Sequence, residues 1–225
     1  MIFNDDLIFI HIGKTAGMSC SEYLLNNLQP ILYNCHADAL KESVPYNRAE
    51  VVPLTGISRH CTLEEAIQFI QQIKGKTLAD FAKVIAVIRH PYALEYSYYQ
   101  HLRKPHVQER RKDNVGLIAL ANGDFRNFVK FGGFHREGVS QDGFVKIEGK
   151  IPANVELVKF EELTTALPQA IRAFRKSPQE HPMPHRNKSQ YAVDLNELLT
   201  AEIEELIYRK HQFLFDSGYY QRQTG

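Results

Sequence analysis

The stretch "IFIHIGKTAGMS", residues 8–19, changes character half-way along. Leu7 to Ile12 is a short run of β-formers, bounded by Asp5-Asp6 on one side and Gly13 on the other. Such a run suits a strand covered on both faces, as in a parallel sheet. Ser19 followed by Glu22 has the pattern of a capping box, and Leu24, Leu25 and Leu28 form one apolar stripe of a helix over Ser19–Leu28. The quotation therefore reads as strand, tight loop, helix. The first amides of a helix lack internal partners, and its dipole favours an anion there. Gly13, Lys14, Thr15, Ala16, Gly17, Met18 and Ser19 then form a candidate phosphate cradle. The amides of Thr15 to Ser19 donate, Lys14 brings a charge, Thr15 and Ser19 bring hydroxyls, and Gly17 lets the backbone come close.

An ATP or GTP loop has the form GxxxxGK[ST]. Its first glycine would fall at position 8, which is Ile8. The partner strand of such proteins ends in a magnesium-binding aspartate. Here "KVIAVI", residues 83–88, runs into Arg89. Both departures argue against a nucleotide kinase or GTPase, and an ATP-dependent kinase is kept as an alternative.

Other segments extend the alternation. Val51–Leu54 reads as a short strand, Lys83–Ile88 as a buried strand stopped by Pro91, and Val155–Phe160 as a further strand. Thr62 with Glu65 is a second capping-box pattern, and Leu63, Ala66, Ile67, Ile70 and Ile73 follow at helical spacing. Helices are expected from about Tyr92 to Leu102, over Leu117–Phe131, from about Leu163 to Phe174, and over Leu195–Phe215. Gly132–Gly149 reads as a long loop or insert. Strands alternating with helices imply βαβ units, hence a single-domain, three-layer α/β fold with a P-loop-like central parallel sheet flanked by helices. Ligands of such sheets sit beyond the carboxyl ends of the strands.

Composition narrows the function class. The 225 residues carry 27 Lys and Arg against 26 Asp and Glu, a net charge of +1, which argues against a general nucleic-acid binder. Three cysteines without a CxxC pair argue against a disulfide framework and a cysteine zinc site, and fit a reducing, cytoplasmic setting. No apolar run is long enough to span a bilayer.

Arg89 ends its strand and Ser97 follows eight residues later, within the next helix. An arginine fork and a hydroxyl so placed could grip one phosphate from two sides. With that second cluster, the chain resembles the sulfotransferases. "HIGKTAGMS" is similar to their loop for a 5′-phosphosulfate, and "VIRHPYALEYSYY" to their 3′-phosphate motif. "SRHCTLEEAIQFI" resembles the histidine-plus-helix segment of the carbohydrate, heparan-sulfate-type branch. "VELVKFEEL", "PHRNKSQ" and "FLFDSGY" are similar to later segments of the family, so the likeness runs in order over about residues 7–220. Gly13 and Met18 depart from the family's usual Pro and Thr.

The resemblance implies 3′-phosphoadenosine 5′-phosphosulfate (PAPS) as sulfuryl donor and PAP as product. It implies an acceptor hydroxyl, on a carbohydrate or a small metabolite, and no metal. The 5′-end would be held by residues 13–19, with Lys14 stabilising the leaving phosphate. The 3′-phosphate would be held by Arg89 and Ser97, with Asn187, Lys188 and Ser189 closing over the nucleotide. His60 is the expected general base, since an imidazole takes a proton near neutral pH. His185 is a lesser contact; His11 is read as a core or rim residue, His90 as a neighbour of Arg89 that points away, and neither as the base. A binding module that holds a nucleotide or sulfated ligand without turnover is the non-enzymatic alternative.

Overall fold

The computed structural model describes residues 1–35, 46–132, 139–184 and 195–223. In chain order the elements are β1 (Ile2–Phe3), β2 (Leu7–Ile10), α1 (Gly17–Asn27), β3 (Leu32–Asn34), β4 (Val51–Pro53), α2 (Leu63–Lys74) and β5 (Lys83–Ile88). Then come α3 (Pro91–Leu102), α4 (Pro105–Arg110), α5 (Val115–Asn122), α6 (Phe125–Phe131), β6 (Val155–Lys159), α7 (Leu163–Ala170), α8 (Leu195–Leu198), α9 (Ala201–Lys210) and α10 (Gln212–Asp216). The chain forms two compact units, one of residues 1–88 and 143–188, the other of residues 89–142 and 189–225.

The first unit is α/β. Its described strands make one six-stranded sheet in the order β4-β3-β1-β2-β5-β6. β2, β5 and β6 run parallel, with Ile10 beside Ala86 and Ile88 beside Lys159. β3 and β4 are also parallel. β1 is antiparallel to both β2 and β3, so the sheet is mixed rather than wholly parallel as expected. The cause is local. The Asn4 side chain accepts from the amides of Asp6 at 3.0 Å and Leu7 at 2.9 Å, closing a turn too short for any crossover. A two-residue strand of Ile2 and Phe3 has no period to detect.

Every residue of β2 is buried, and so are five of the six in β5, so both faces of these strands are covered. On one face α1 and α7 pack through Tyr23, Leu24, Leu28, Leu163 and Leu167 onto Leu7, Phe9, Ile85, Val87 and Val158. The far end of α1 is clamped by its own unit. The Asn27 amide donates to the His181 carbonyl at 3.1 Å and accepts from the His181 amide at 2.8 Å. Tyr23 donates to Glu180 at 2.8 Å.

The second unit is helical. Tyr96, Tyr98 and Tyr99 of α3 pack their rings on Phe125 and Phe128 of α6 at centroid distances of 5.2–5.8 Å. These tyrosines pack helix on helix. The helix expected over Leu117–Phe131 is two helices, because Asp124 caps a new start by accepting from the Asn127 amide at 2.7 Å. The expected Leu195–Phe215 helix is broken in the same way, by Thr200 capping α9. No helix among the described residues is long and apolar enough to cross a membrane.

Candidate functional site

β2 ends at Ile10, and the chain leaves the sheet through His11 and Ile12. Lys14 and Ala16 then both take left-handed backbone conformations, with φ of 64° and 61°. Non-glycine residues avoid this region, and such strain gathers at functional loops. α1 begins at Gly17, two residues before the expected cap. Ala16 is its cap residue and has no side chain to accept from the first-turn amides. Ser19 lies inside that turn and does not cap it. The amides of Gly17, Met18 and Ser19 therefore open an 11-residue helix that carries no side-chain cap. That suits an anion.

Two expected contributions to the cradle change. The Thr15 hydroxyl is buried and donates to the Ile12 carbonyl at 2.8 Å. Its single hydrogen is used in closing the loop, so it has none for a phosphate oxygen. Gly17 is needed by a neighbour: a Cβ there would lie 1.5 Å from His11 Nε2. The His11 ring occupies the space that a side chain would fill. His11 is buried, in keeping with its structural reading. Lys14 and Met18 are half-buried, and Gly13 and Ser19 are buried.

The His60 ring stands 4.7 Å from that of His11. His60 Nδ1 lies 3.0 Å from the His11 carbonyl, and the Arg59 Nε–H donates to His60 Nε2 across 3.0 Å. A carbonyl only accepts, so Nδ1 carries the proton and Nε2 presents its lone pair to arginine. This is the neutral imidazole a general base requires. Just beyond it, Thr62 and Glu65 form the expected reciprocal cap of α2, at 2.9 and 3.2 Å.

In the helical unit, Arg89 follows β5 directly and is 8% exposed. Its amide donates to Gln141 Oε1 and its carbonyl accepts from Gln141 Nε2, each at 2.8 Å. The glutamine pairs with the main chain as a neighbouring strand would, which holds the residue where the strand ends. Ser97 is buried within α3. His90 lies among aromatic rings, 4.9 Å from both Tyr92 and Tyr220. Asn187, Lys188, Ser189 and His185 lie outside the described residues. Among those described, no group of three or more His, Cys, Asp or Glu is arranged to hold a metal ion.

Sequence reasoning passed over Arg59 and Gln141. Arg59 stood beside His60 in the quoted motif, and an arginine touching a candidate base was a usable signal. Gln141 was not findable, since its partner is 52 residues away. Compared with known protein families, with curated proteins and with solved structures, the chain matches none.

Proposed function

We propose that the protein is a PAPS-dependent sulfotransferase. Supporting the reading is one observation above others. β2 and β5 are adjacent parallel strands, and the strained loop follows the carboxyl end of the first while Arg89 follows that of the second. The uncapped α1 amides and Lys14 would take the 5′-phosphosulfate, and Arg89 with Ser97 the 3′-phosphate. Asn187, Lys188 and Ser189 are assigned to the nucleotide on the motif likeness alone. The fold is read as P-loop-like and the setting as cytoplasmic.

In the reaction the acceptor oxygen attacks sulfur, the sulfur–oxygen bond to the 5′-phosphate breaks, and PAP leaves. Charge grows on the departing phosphate oxygen, where prearranged donors are worth several kcal/mol. Lys14 and the α1 amides supply them. His60 Nε2 takes the acceptor proton. The acceptor is a carbohydrate or small-metabolite hydroxyl. The kinase alternative draws on the GKT triplet alone, and the binding-module alternative shares every donor contact but has no use for a neutral His60.

Calorimetric titration of PAP against AMP tests the reading. PAP should bind more tightly, and Arg89→Ala should remove at least about tenfold of that preference, the scale of one lost charge-assisted phosphate contact. Equal binding of the two nucleotides by the unaltered protein would defeat the assignment. Binding that requires magnesium and ignores the 3′-phosphate would favour the kinase. PAP binding without sulfate transfer to any acceptor class would favour the binding module.

A further inference from the structure

We propose that α4 and α5 of the helical unit dock the protein onto an anionic phospholipid surface. α5 (Val115–Asn122) has no charged residue, and only Ala121 in it is buried. Val115 is 71% exposed, Gly116 and Ala119 are exposed, and Leu117, Ile118 and Leu120 are half-buried. A surface helix ordinarily turns a polar face to water, so apolar side chains left there mark a contact. The cations stand immediately before it. Residues 101–113, "HLRKPHVQERRKD", hold five Lys and Arg against Glu109 and Asp113, a charge of +3, whereas the rest of the chain holds 22 against 24. Arg103, Lys104, Arg110 and Lys112 are exposed and Arg111 is half-buried.

Contacts at both ends fold the two segments into one surface. The Arg111 carbonyl accepts from the Asn114 amide at 2.8 Å, and the Asn114 side chain accepts from the Leu117 amide at 3.1 Å, so a tight turn leads straight into a capped α5. At the far end Gln108 of α4 donates to Asn122, the last residue of α5, at 2.8 Å. The basic segment therefore lies alongside the apolar helix. Glu109 approaches Lys112 at 3.2 Å, but an exposed pair of this kind is worth little and leaves the local charge positive. The pairing of cations with apolar side chains selects the partner. A soluble polyanion would use the cations and leave the apolar side chains in water. A second copy of the chain, meeting the same surface, would set cations against cations. A bilayer with acidic headgroups satisfies both, since apolar residues enter the acyl boundary while Lys and Arg stay at the phosphates. No step here depends on the sulfotransferase reading.

Cosedimentation with vesicles tests the proposal. The unaltered protein should pellet with phosphatidylcholine vesicles that carry phosphatidylserine and not with phosphatidylcholine alone, and added salt should release it. Changing Arg110, Arg111 and Lys112 together to Gln should weaken binding at least about tenfold. Val115→Asn, which keeps every cation, should also weaken it. Val115→Trp gives the chain its single tryptophan, whose emission should shift to the blue on the acidic vesicles. Circular dichroism confirms that each variant is folded. Pelleting with neither vesicle, or equally with both, would overturn the proposal. Tighter binding to heparin than to acidic vesicles, unchanged in Val115→Asn, would assign the surface to a soluble polyanion instead. A mass that rises with concentration in ultracentrifugation, and no longer does so in Val115→Asn, would assign it to a second copy.

Discussion

Gly17 separates two explanations of one residue. Read as part of a phosphate loop, it admits a ligand to the backbone. In the folded chain its missing side chain also admits the His11 ring, whose Nε2 stands 1.5 Å from where a Cβ would be. These demands are distinguishable by mutation. Gly17→Ala forces the buried imidazole to move, and overpacking of that kind costs about 1–3 kcal/mol. In a His11→Ala background the same substitution should cost little, because the obstructing ring is gone. Urea denaturation of the four proteins in the cycle measures the difference. A Gly17→Ala penalty that persists in full without His11 would mean the glycine serves the backbone alone. Thr15 carries the same lesson at the next turn of the chain. A hydroxyl in a phosphate-like motif was free to be a ligand in the sequence, and in the structure its hydrogen closes the loop onto Ile12.

Elements whose signals are local were legible. Lys83–Ile88 is an uninterrupted apolar run, and β5 has those bounds. Thr62 and Glu65 sit three apart, and their reciprocal cap starts α2 as expected. The α1 start was misread because its cue is conformational: nothing in the letters of Lys14 or Ala16 announces a left-handed backbone, and Ser19 with Glu22 offered a plausible cap. The short strands β1 and β3 escaped because two or three residues hold no period, and the sheet's mixed direction escaped with them. The candidate site divides along the same line. Its residue types and spacings could be read, whereas the His11–His60 ring contact and the Gln141 clamp are tertiary. The capping box offers a test at this scale. Thr62→Ala removes the acceptor for the Glu65 amide and should cost about 1 kcal/mol. Because α2 begins three residues after His60, the same variant should also raise hydrogen exchange at residues 63–66. A wild-type melting temperature and exchange pattern would show that packing of Leu63, Ala66 and Ile70 sets the helix start without the cap.

At the scale of the molecule, an α/β unit and a helical unit share a chain with almost balanced charge, +1 over 225 residues. Net charge near zero gives little self-repulsion at neutral pH, so acid sensitivity has to come from particular carboxylates. The helical unit holds a fully buried one. Glu95 of α3 is 1% exposed and pairs with the equally buried His211 at 3.0 Å, with Lys210 at 3.8 Å. Burial alone would raise the Glu95 carboxyl, but the His211 hydrogen bond and the Lys210 and His211 charges outweigh it and hold the group below its ordinary value of 4.5. A carboxylate lowered by folding stabilises the protein above its unfolded value, and that contribution disappears as pH falls through the folded value. Removing one partner of such a pair costs about 3–5 kcal/mol, because the other charges stay buried or half-buried without it. Glu95→Gln should therefore unfold at lower urea than the unaltered protein at pH 7, and the gap should narrow as pH drops below 4.5. A gap that stays constant from pH 7 to strongly acid conditions would mean Glu95 contributes by shape rather than by charge. Glu95→Leu with His211→Leu, which removes both members, should recover much of the stability lost in the single variant, since a buried pair and a well-packed apolar pair of similar volume differ little.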